Sequence, residues 1–206
     1  MRYTLLSDGS SDRALIPMLT WLLRQALPTS AIEPHWADLR RVPEPPSALA
    51  ERICLAIELY PCDLLFVHRD AETAPMTDRV AEIRTAVRES APTRPPAVCV
   101  VPVRMTEAWL LFDEDAIRSA AGNPNGRVTL DLPAIGGLEA IPDPKQLLYD
   151  CLREASELYG RRLKKFRPAA RAVQVTQYIS DYSPLRQLPA FRALCDELAL
   201  AVQQLP

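Results

Sequence analysis

LLFVHRDAE, residues 64–72, is the stretch that decides the fold, because a short apolar run here leads directly into two carboxylates. A continuous apolar run of this length is typical of a strand buried on both faces of a parallel sheet. Two further runs, at residues 3–7 and 97–103, are also followed closely by acids. Ligands of open α/β sheets bind outside the carboxyl ends of the strands, so the sequence predicts a functional site at that edge.

The acids that follow these three runs are Asp8, Asp12, Asp70, Glu72 and Glu107. Carboxylates that lie so close together cannot all stay ionised without a cation. Because Mg²⁺ and Mn²⁺ prefer oxygen ligands, the pattern indicates a divalent-metal site, and with it phosphoryl-transfer chemistry. Ordinary explanations stay open at this point: Asp12 and Glu107 are also favourable acids in the first turn of a helix.

The apolar pattern predicts an α/β fold with a parallel sheet flanked by helices and a helical C-terminal extension. The strands are expected at 2–7, 31–37, 63–68 and 97–103, and the helices between them at 11–27, 46–59 and 76–90. Pro17 predicts a kink or a later start of the first helix. Three more helices are expected after the loop 122–142, at 143–158, 168–180 and 187–204. We therefore divide the chain into an α/β core, 1–113, and a mainly helical portion, 114–206, packed on it as one structural unit.

The bulk composition excludes several classes of protein. No apolar run among the 206 residues approaches the length of roughly 20 residues that spans a bilayer. The N-terminus also lacks the pattern of a signal peptide, so we expect a cytoplasmic protein without a membrane partner. The five cysteines never form a CxxC pair and only two histidines are present, which argues against zinc and favours core thiols. The net charge of -2 gives no overall preference for nucleic acid, so any such binding needs a local patch.

A local basic patch is present in the second half of the chain. Its cations are Arg161, Arg162, Lys164, Lys165, Arg167 and Arg171, with Phe166 among them. Basic groups interleaved with an aromatic suit a nucleic-acid backbone and an unstacked base, although a solubilising loop between helices would have the same composition. Lys145 lies at the start of a predicted helix, where a cation opposes the helix dipole; it is either an ordinary solvated lysine or a charge that stabilises a phosphoryl transition state.

Together these residues resemble the Toprim fold of topoisomerases, primases and small nucleases. In that fold a Glu-Gly ends the first strand and an Asp-x-Asp ends a later one; Asp8-Gly9 and Asp70-x-Glu72 match these positions with the acids exchanged. The branch of OLD (overcoming lysogenization defect) nucleases is closer, because it adds the acids matched by Asp12 and Glu107 and a lysine matched by Lys145. The segments VPVRMTEAWLLFD and DPKQLL are similar to those of small stand-alone bacterial Toprim-like proteins, some of which work beside an ATPase in phage defence.

The resemblance implies a nuclease that uses one or two Mg²⁺ or Mn²⁺ ions, with DNA favoured over RNA as the substrate. Asp8, Asp70, Glu72 and Lys145 would be catalytic, and the basic patch would hold the nucleic acid. The two exchanged acids favour an alternative, a catalytically weakened interaction module that serves a partner ATPase. A more remote alternative is a receiver-like phosphoacceptor domain, since Asp8, Asp70, Thr106 and Lys145 follow the order of its key residues. The sequence leaves the oligomeric state open.

Overall fold

The computed structural model describes residues 1–91 and 93–205. Its strands are β1 (Arg2–Leu6), β2 (Glu33–Trp36), β3 (Leu64–His68) and β4 (Ala97–Val100). All neighbours are parallel and the order across the sheet is β2-β1-β3-β4, so β2 and β4 form its edges. The predicted α/β class with a parallel sheet flanked by helices is therefore confirmed, and the topological switch point lies between β1 and β3.

The helices between the strands are α1 (Leu15–Ala26), α2 (Leu49–Leu59) and α3 (Met76–Ser90). A 3-10 helix, Ser11–Ala14, precedes α1, so the α-helix begins later than residue 11, as Pro17 predicted. Pro17 is the third residue of α1, a position where the backbone N–H has no partner within the helix in any case. At the other end of the sheet, β4 stops at Val100, before Pro102 and earlier than the predicted residue 103.

The two faces of the sheet bury two different clusters. On one face Leu5, Phe66 and Val98 pack in the cluster that includes the apolar side of α1. On the other, Val67 and Cys99 pack in the cluster that includes the buried residues of α2 and α3. The alternation follows from the period of two along each strand, and it produces three layers with the sheet in the middle.

The second half of the chain is helical and completes the α1 side of the sheet. Its helices are α4 (Glu114–Ala121), α5 (Pro144–Ala155), α6 (Gly160–Lys165), α7 (Pro168–Tyr178) and α8 (Pro189–Val202). The helices α4 and α6 were not predicted. Pro206, the last residue of the portion 114–206 that was predicted to be mainly helical, lies outside the described residues. Trp109 and Phe191 contact edge to face, with 5.4 Å between ring centroids, in the same buried cluster as Leu5 of β1. Each helix in the described ranges is too short or too polar to cross a membrane.

Candidate functional site

A cavity of about 230 Å³ lies beyond the carboxyl ends of β3 and β4, next to the turn that precedes α1. Its lining includes the four carboxylates and the lysine that follow the strand ends: Asp12, Asp70, Glu72, Glu107 and Lys145. Tyr149 of α5 and Ala172 of α7 close the side opposite the sheet. The structure thus brings together every residue predicted for catalysis or metal binding except Asp8. We call this space the carboxylate cavity.

Asp12 is buried and fixes the turn between β1 and α1. Its Oδ2 accepts a hydrogen bond from the Gly9 backbone N–H at 2.8 Å, and its Oδ1 accepts one from the Ser11 hydroxyl at 3.2 Å. A Cβ atom at residue 9 would lie 3.3 Å from Oδ2, so the close approach of backbone to carboxylate favours glycine there. Half of the hydrogen-bonding capacity of Asp12 therefore serves the local turn.

Asp70 links the end of β3 to the segment after β4. Its Oδ1 accepts hydrogen bonds from the Thr106 backbone N–H at 3.0 Å and from the Thr106 hydroxyl at 3.4 Å. Thr106 begins the 3-10 helix Thr106–Leu110, which also carries Glu107. One acid of the cavity thereby holds in place the short helix that presents another.

His68, the last residue of β3, lies beneath the carboxylates and is buried. Its Nδ1–H donates to the Val100 carbonyl at 2.9 Å, which orients the ring. Its Nε2 then points toward two of the acids, 3.6 Å from Asp70 Oδ1 and 3.9 Å from Asp12 Oδ2. His68 was not predicted as a site residue. The available signal was its position, a polar residue at the end of an apolar run and two residues before an acid.

The negative charge of the carboxylate cavity is incompletely balanced. Burial, together with the charges of Asp12 and Glu107, raises the pKa of Asp70 to about 6, although His68 and the Thr106 N–H act in the opposite direction. Lys145 Nζ lies 3.6 Å from Glu107 Oε1, and this carboxylate raises the pKa of the lysine above its ordinary value. The cavity therefore favours the binding of positive charge.

Glu72 is exposed at the rim of the cavity, on a left-handed backbone. Its φ is 54°, and the φ of Arg104, which faces it beyond the ends of β3 and β4, is 66°. The Glu72 N–H donates to the Arg104 carbonyl at 3.0 Å, so the parallel pairing continues past both strands. Non-glycine residues in this region cost about 1–3 kcal/mol each and cluster at functional sites.

Asp8 lies outside the carboxylate cavity. Its carboxylate forms ion pairs with Arg52 of α2 and with Arg69, whose Nε is 3.1 Å from Asp8 Oδ2. Burial would raise the pKa of Asp8, but the two arginines outweigh this effect and hold it below the ordinary value. Asp8 instead borders a second cavity, of about 250 Å³, on the other side of β1 toward Trp36.

The predicted basic patch forms α6 and the turn into α7. Within the described part of the chain, five of its cations are exposed and their side chains have no hydrogen bond or ion pair: Arg161, Arg162, Lys164, Lys165 and Arg167. The sixth, Arg171, is half-buried and donates to Gln174 Oε1 at 3.1 Å. Since Ala169 and Ala172 of α7 line the carboxylate cavity, the basic helix leads directly to its rim.

The carboxylate cavity has the donor chemistry of a hard-cation site without a ready-made metal geometry. All of its acidic donors are oxygens, the type that Mg²⁺ and Mn²⁺ take. Across residues 1–91 and 93–205, no three His, Cys, Asp or Glu side chains are already arranged around one point as a metal ion requires. Asp12, Asp70 and Glu107 are engaged instead with Gly9, Thr106 and Lys145.

Comparison of the chain with protein-family models, with curated proteins and with solved structures finds no significant match. The resemblance to the Toprim fold therefore depends on the quoted motifs alone.

Proposed function

We propose that this protein is a Toprim-like nuclease that depends on a divalent cation and hydrolyses phosphodiester bonds in DNA. The observation that carries the proposal is the carboxylate cavity at the strand ends, with a raised Asp70 pKa, next to a helix of unpaired cations. Carboxylates with excess negative charge suit a metal ion, and the adjacent positive surface suits a phosphate backbone.

Asp12, Asp70, Glu72 and Glu107 would hold the Mg²⁺ or Mn²⁺, as one ion or two. A bound cation supplies Lewis-acid charge and lowers the pKa of a water nucleophile. To bind, it has to compete with the present partners of the carboxylates, the Gly9 N–H, Thr106 and Lys145. We therefore expect the binding of the metal to be coupled to small side-chain shifts within the cavity.

Lys145 and the basic helix supply the positive charge on the substrate side. Lys145 is held at the cavity by Glu107, so its ammonium group is near enough to stabilise negative charge that develops on a phosphate. The four exposed cations of α6 and Arg167, which follows the helix, would hold the backbone on either side of the cleaved bond. Because these five side chains make no ion pair within the described residues, they are free to contact phosphate.

The position of Asp8 favours a second candidate, a catalytically weakened module that serves a partner ATPase, for example in phage defence. Asp8 is the residue that matches the first acid of the Toprim motif, yet its carboxylate is neutralised by Arg52 and Arg69. A receiver-like phosphoacceptor role for Asp70 has narrower support, its contact with Thr106 at 3.0 Å.

Cleavage of supercoiled plasmid by the purified protein, with Mg²⁺, Mn²⁺ or EDTA, tests the nuclease proposal. We expect cutting with the metals only, and a loss of about 100-fold or more in Asp70→Asn, because a carboxylate ligand is replaced. Asp196→Asn, on the exposed side of α8, removes one acid far from the cavity and should cut like the wild type.

Two results would contradict this proposal: no cutting under any condition, or equal cutting by the wild type and Asp70→Asn. Asp8→Asn tests whether Asp8 belongs to the metal site. A loss of cutting as large as that of Asp70→Asn would mean that Asp8 is also a metal ligand. Stable phosphorylation of Asp70 by acetyl phosphate would support the receiver-like alternative instead.

A further inference from the structure

A larger cavity, of about 720 Å³, adjoins the carboxylate cavity. Ala14 at the start of α1 and Val173 of α7 line both spaces, so the two cavities meet at these side chains. The larger cavity extends from there past Arg13 to Trp36 of β2 and Tyr60 at the end of α2. Its volume is in the range of ordinary ligand pockets, roughly 300–1,000 Å³.

Arg13 is the free cation of this cavity. It is exposed, follows Asp12 directly in the sequence and, among the residues that the structure describes, its side chain has no hydrogen bond or ion pair. Asp38, which also lines the cavity, has its charge met by Arg40, with 2.7 Å between Oδ1 and Nε. The unbalanced charge next to the carboxylate cavity is therefore positive, and it suits an anionic group.

The aromatic side chains of the cavity are Trp36 and Tyr60, both half-buried. The Trp36 indole N–H donates to the Ser7 hydroxyl at 3.1 Å, and the Arg40 guanidinium lies 5.0 Å from its ring centroid, so the ring is held in place. A fixed tryptophan ring and a second aromatic side chain beside a free guanidinium suit an unstacked base and its phosphate.

We propose that this cavity binds a nucleotide next to the phosphate that is cleaved, with its base against Trp36 or Tyr60 and its phosphate on Arg13. This inference rests on the proposed function and narrows its substrate to single-stranded or locally unpaired DNA. Bases in an intact duplex are stacked and paired, so only an unpaired strand can place one in a pocket of this kind.

Binding without cleavage tests the subsite separately from the chemistry. Fluorescence anisotropy in EDTA measures the affinity for a labelled oligo-dT and for a duplex of the same length. We expect the single strand to bind more tightly and Arg13→Glu to weaken it about 10-fold or more. Arg24→Glu is the matched control, because Arg24 is an exposed arginine near the far end of α1, the helix that follows Arg13, and its replacement changes the charge equally.

Tyr60→Leu tests the stacking contribution and should weaken single-strand binding by about 10-fold with little effect on the duplex. The hydrogen bonds of Tyr60 are made by its backbone: the carbonyl accepts from the Thr4 hydroxyl at 2.9 Å and the N–H donates to the Ala56 carbonyl at 2.9 Å. Leucine retains both and keeps an apolar side chain against the buried cluster. Circular dichroism and thermal melting of each variant separate a binding defect from unfolding.

Equal losses in Arg13→Glu and Arg24→Glu, tighter binding of the duplex, or no binding of either oligonucleotide would overturn the inference. Failure of the proposed function has a different signature: oligo-dT binds through Arg13 and Tyr60, but no metal supports cleavage. If plasmid is cut in an Asp70-dependent way while both variants bind oligo-dT like the wild type, only the subsite is wrong.

Discussion

At Asp70 the stability of the folded protein and the proposed binding of a cation make opposite demands. The ordinary pKa of this residue, 3.8, rises to about 6 in the folded protein, through burial and the neighbouring carboxylates Asp12 and Glu107. Between these two pH values the folded state holds a proton that the unfolded state has lost. The contribution of Asp70 to the free energy of unfolding therefore falls as the pH rises from about 4 to 6, by up to about 3 kcal/mol.

We expect Asp70→Asn to be more stable than the wild type at pH 7.5, by up to about 3 kcal/mol, and nearly equal to it at pH 4. Asparagine cannot ionise, but its side-chain oxygen can still accept the hydrogen bond from Thr106. Urea denaturation at several pH values measures the difference, with Asp196→Asn as the control. Parallel pH profiles for wild type and variant would contradict the assigned origin of the shift.

At the scale of elements, α8 protects an open edge of the sheet. The Cys99 backbone N–H of β4 points away from β3 and donates to Glu197 Oε2 of α8 at 3.2 Å. Arg84 of α3 lies 3.7 Å from the other oxygen of the same carboxylate. An unpaired strand edge invites pairing with another chain, so this acceptor has a protective as well as a stabilising role.

Glu197→Ala should lower the free energy of unfolding by about 1–3 kcal/mol, because it leaves a buried N–H without an acceptor. Glu197→Gln keeps the acceptor and should lose less than half as much. Urea denaturation gives the stabilities, and light scattering reports self-association through the uncovered edge. The role assigned to Glu197 fails if the two variants are equally stable.

Elements with strong apolar periodicity were predictable from the sequence, and those without it were not. The bounds of α3 agree with the prediction at 76–90, because Val80, Ile83 and Val87 repeat at helical spacing. By contrast, α6 has Leu163 as its single large apolar residue, and α4 sets Ile117 among alanines and charges. The helix α4 packs on α5 and α7, which lie further along the chain, and α6 buries none of its residues, so neither leaves an apolar pattern in the local sequence.

The part of the candidate site that directly follows the strands was predictable, because the carboxyl ends of parallel strands lie at one edge of the sheet. This rule brought Asp12, Asp70 and Glu107 to one cavity. It could not place Asp8, because Arg52, which holds its carboxylate, lies 44 residues further along the chain. Nor does any local pattern reveal the left-handed backbone of Glu72, whose N–H donates to the distant Arg104 carbonyl.

For the whole molecule, the small net charge of -2 conceals a strong separation of charge. The carboxylate cavity gathers four acids and one lysine, while α6 and the nearby Arg167 present only positive charges to solvent. Such a separation suits a polyanion that must be held beside a cation-binding site. The contribution of the basic helix should therefore depend on ionic strength.

Replacing Lys164 and Lys165 together by alanine should reduce the salt dependence of oligo-dT binding. The slope of log K against log salt should become shallower by about 1.4 for a single strand, since two phosphate contacts are lost. Anisotropy titrations between 50 and 200 mM salt measure it. The double variant Arg88→Ala/Arg94→Ala removes two exposed charges from the α3 side and should keep the wild-type slope; an equal change in both would argue against a specific role for α6.

The shared cluster on the α1 side of the sheet has a consequence for dividing the protein. Leu5, Leu19, Trp109, Val175 and Phe191 belong to one continuous buried group, although they come from both halves of the sequence. A fragment that ends at Asp113 would expose the apolar side of α1 to water, and we expect it to aggregate rather than fold. We expect neither half to fold independently, so a natural fusion or an engineered insertion has to keep both halves intact.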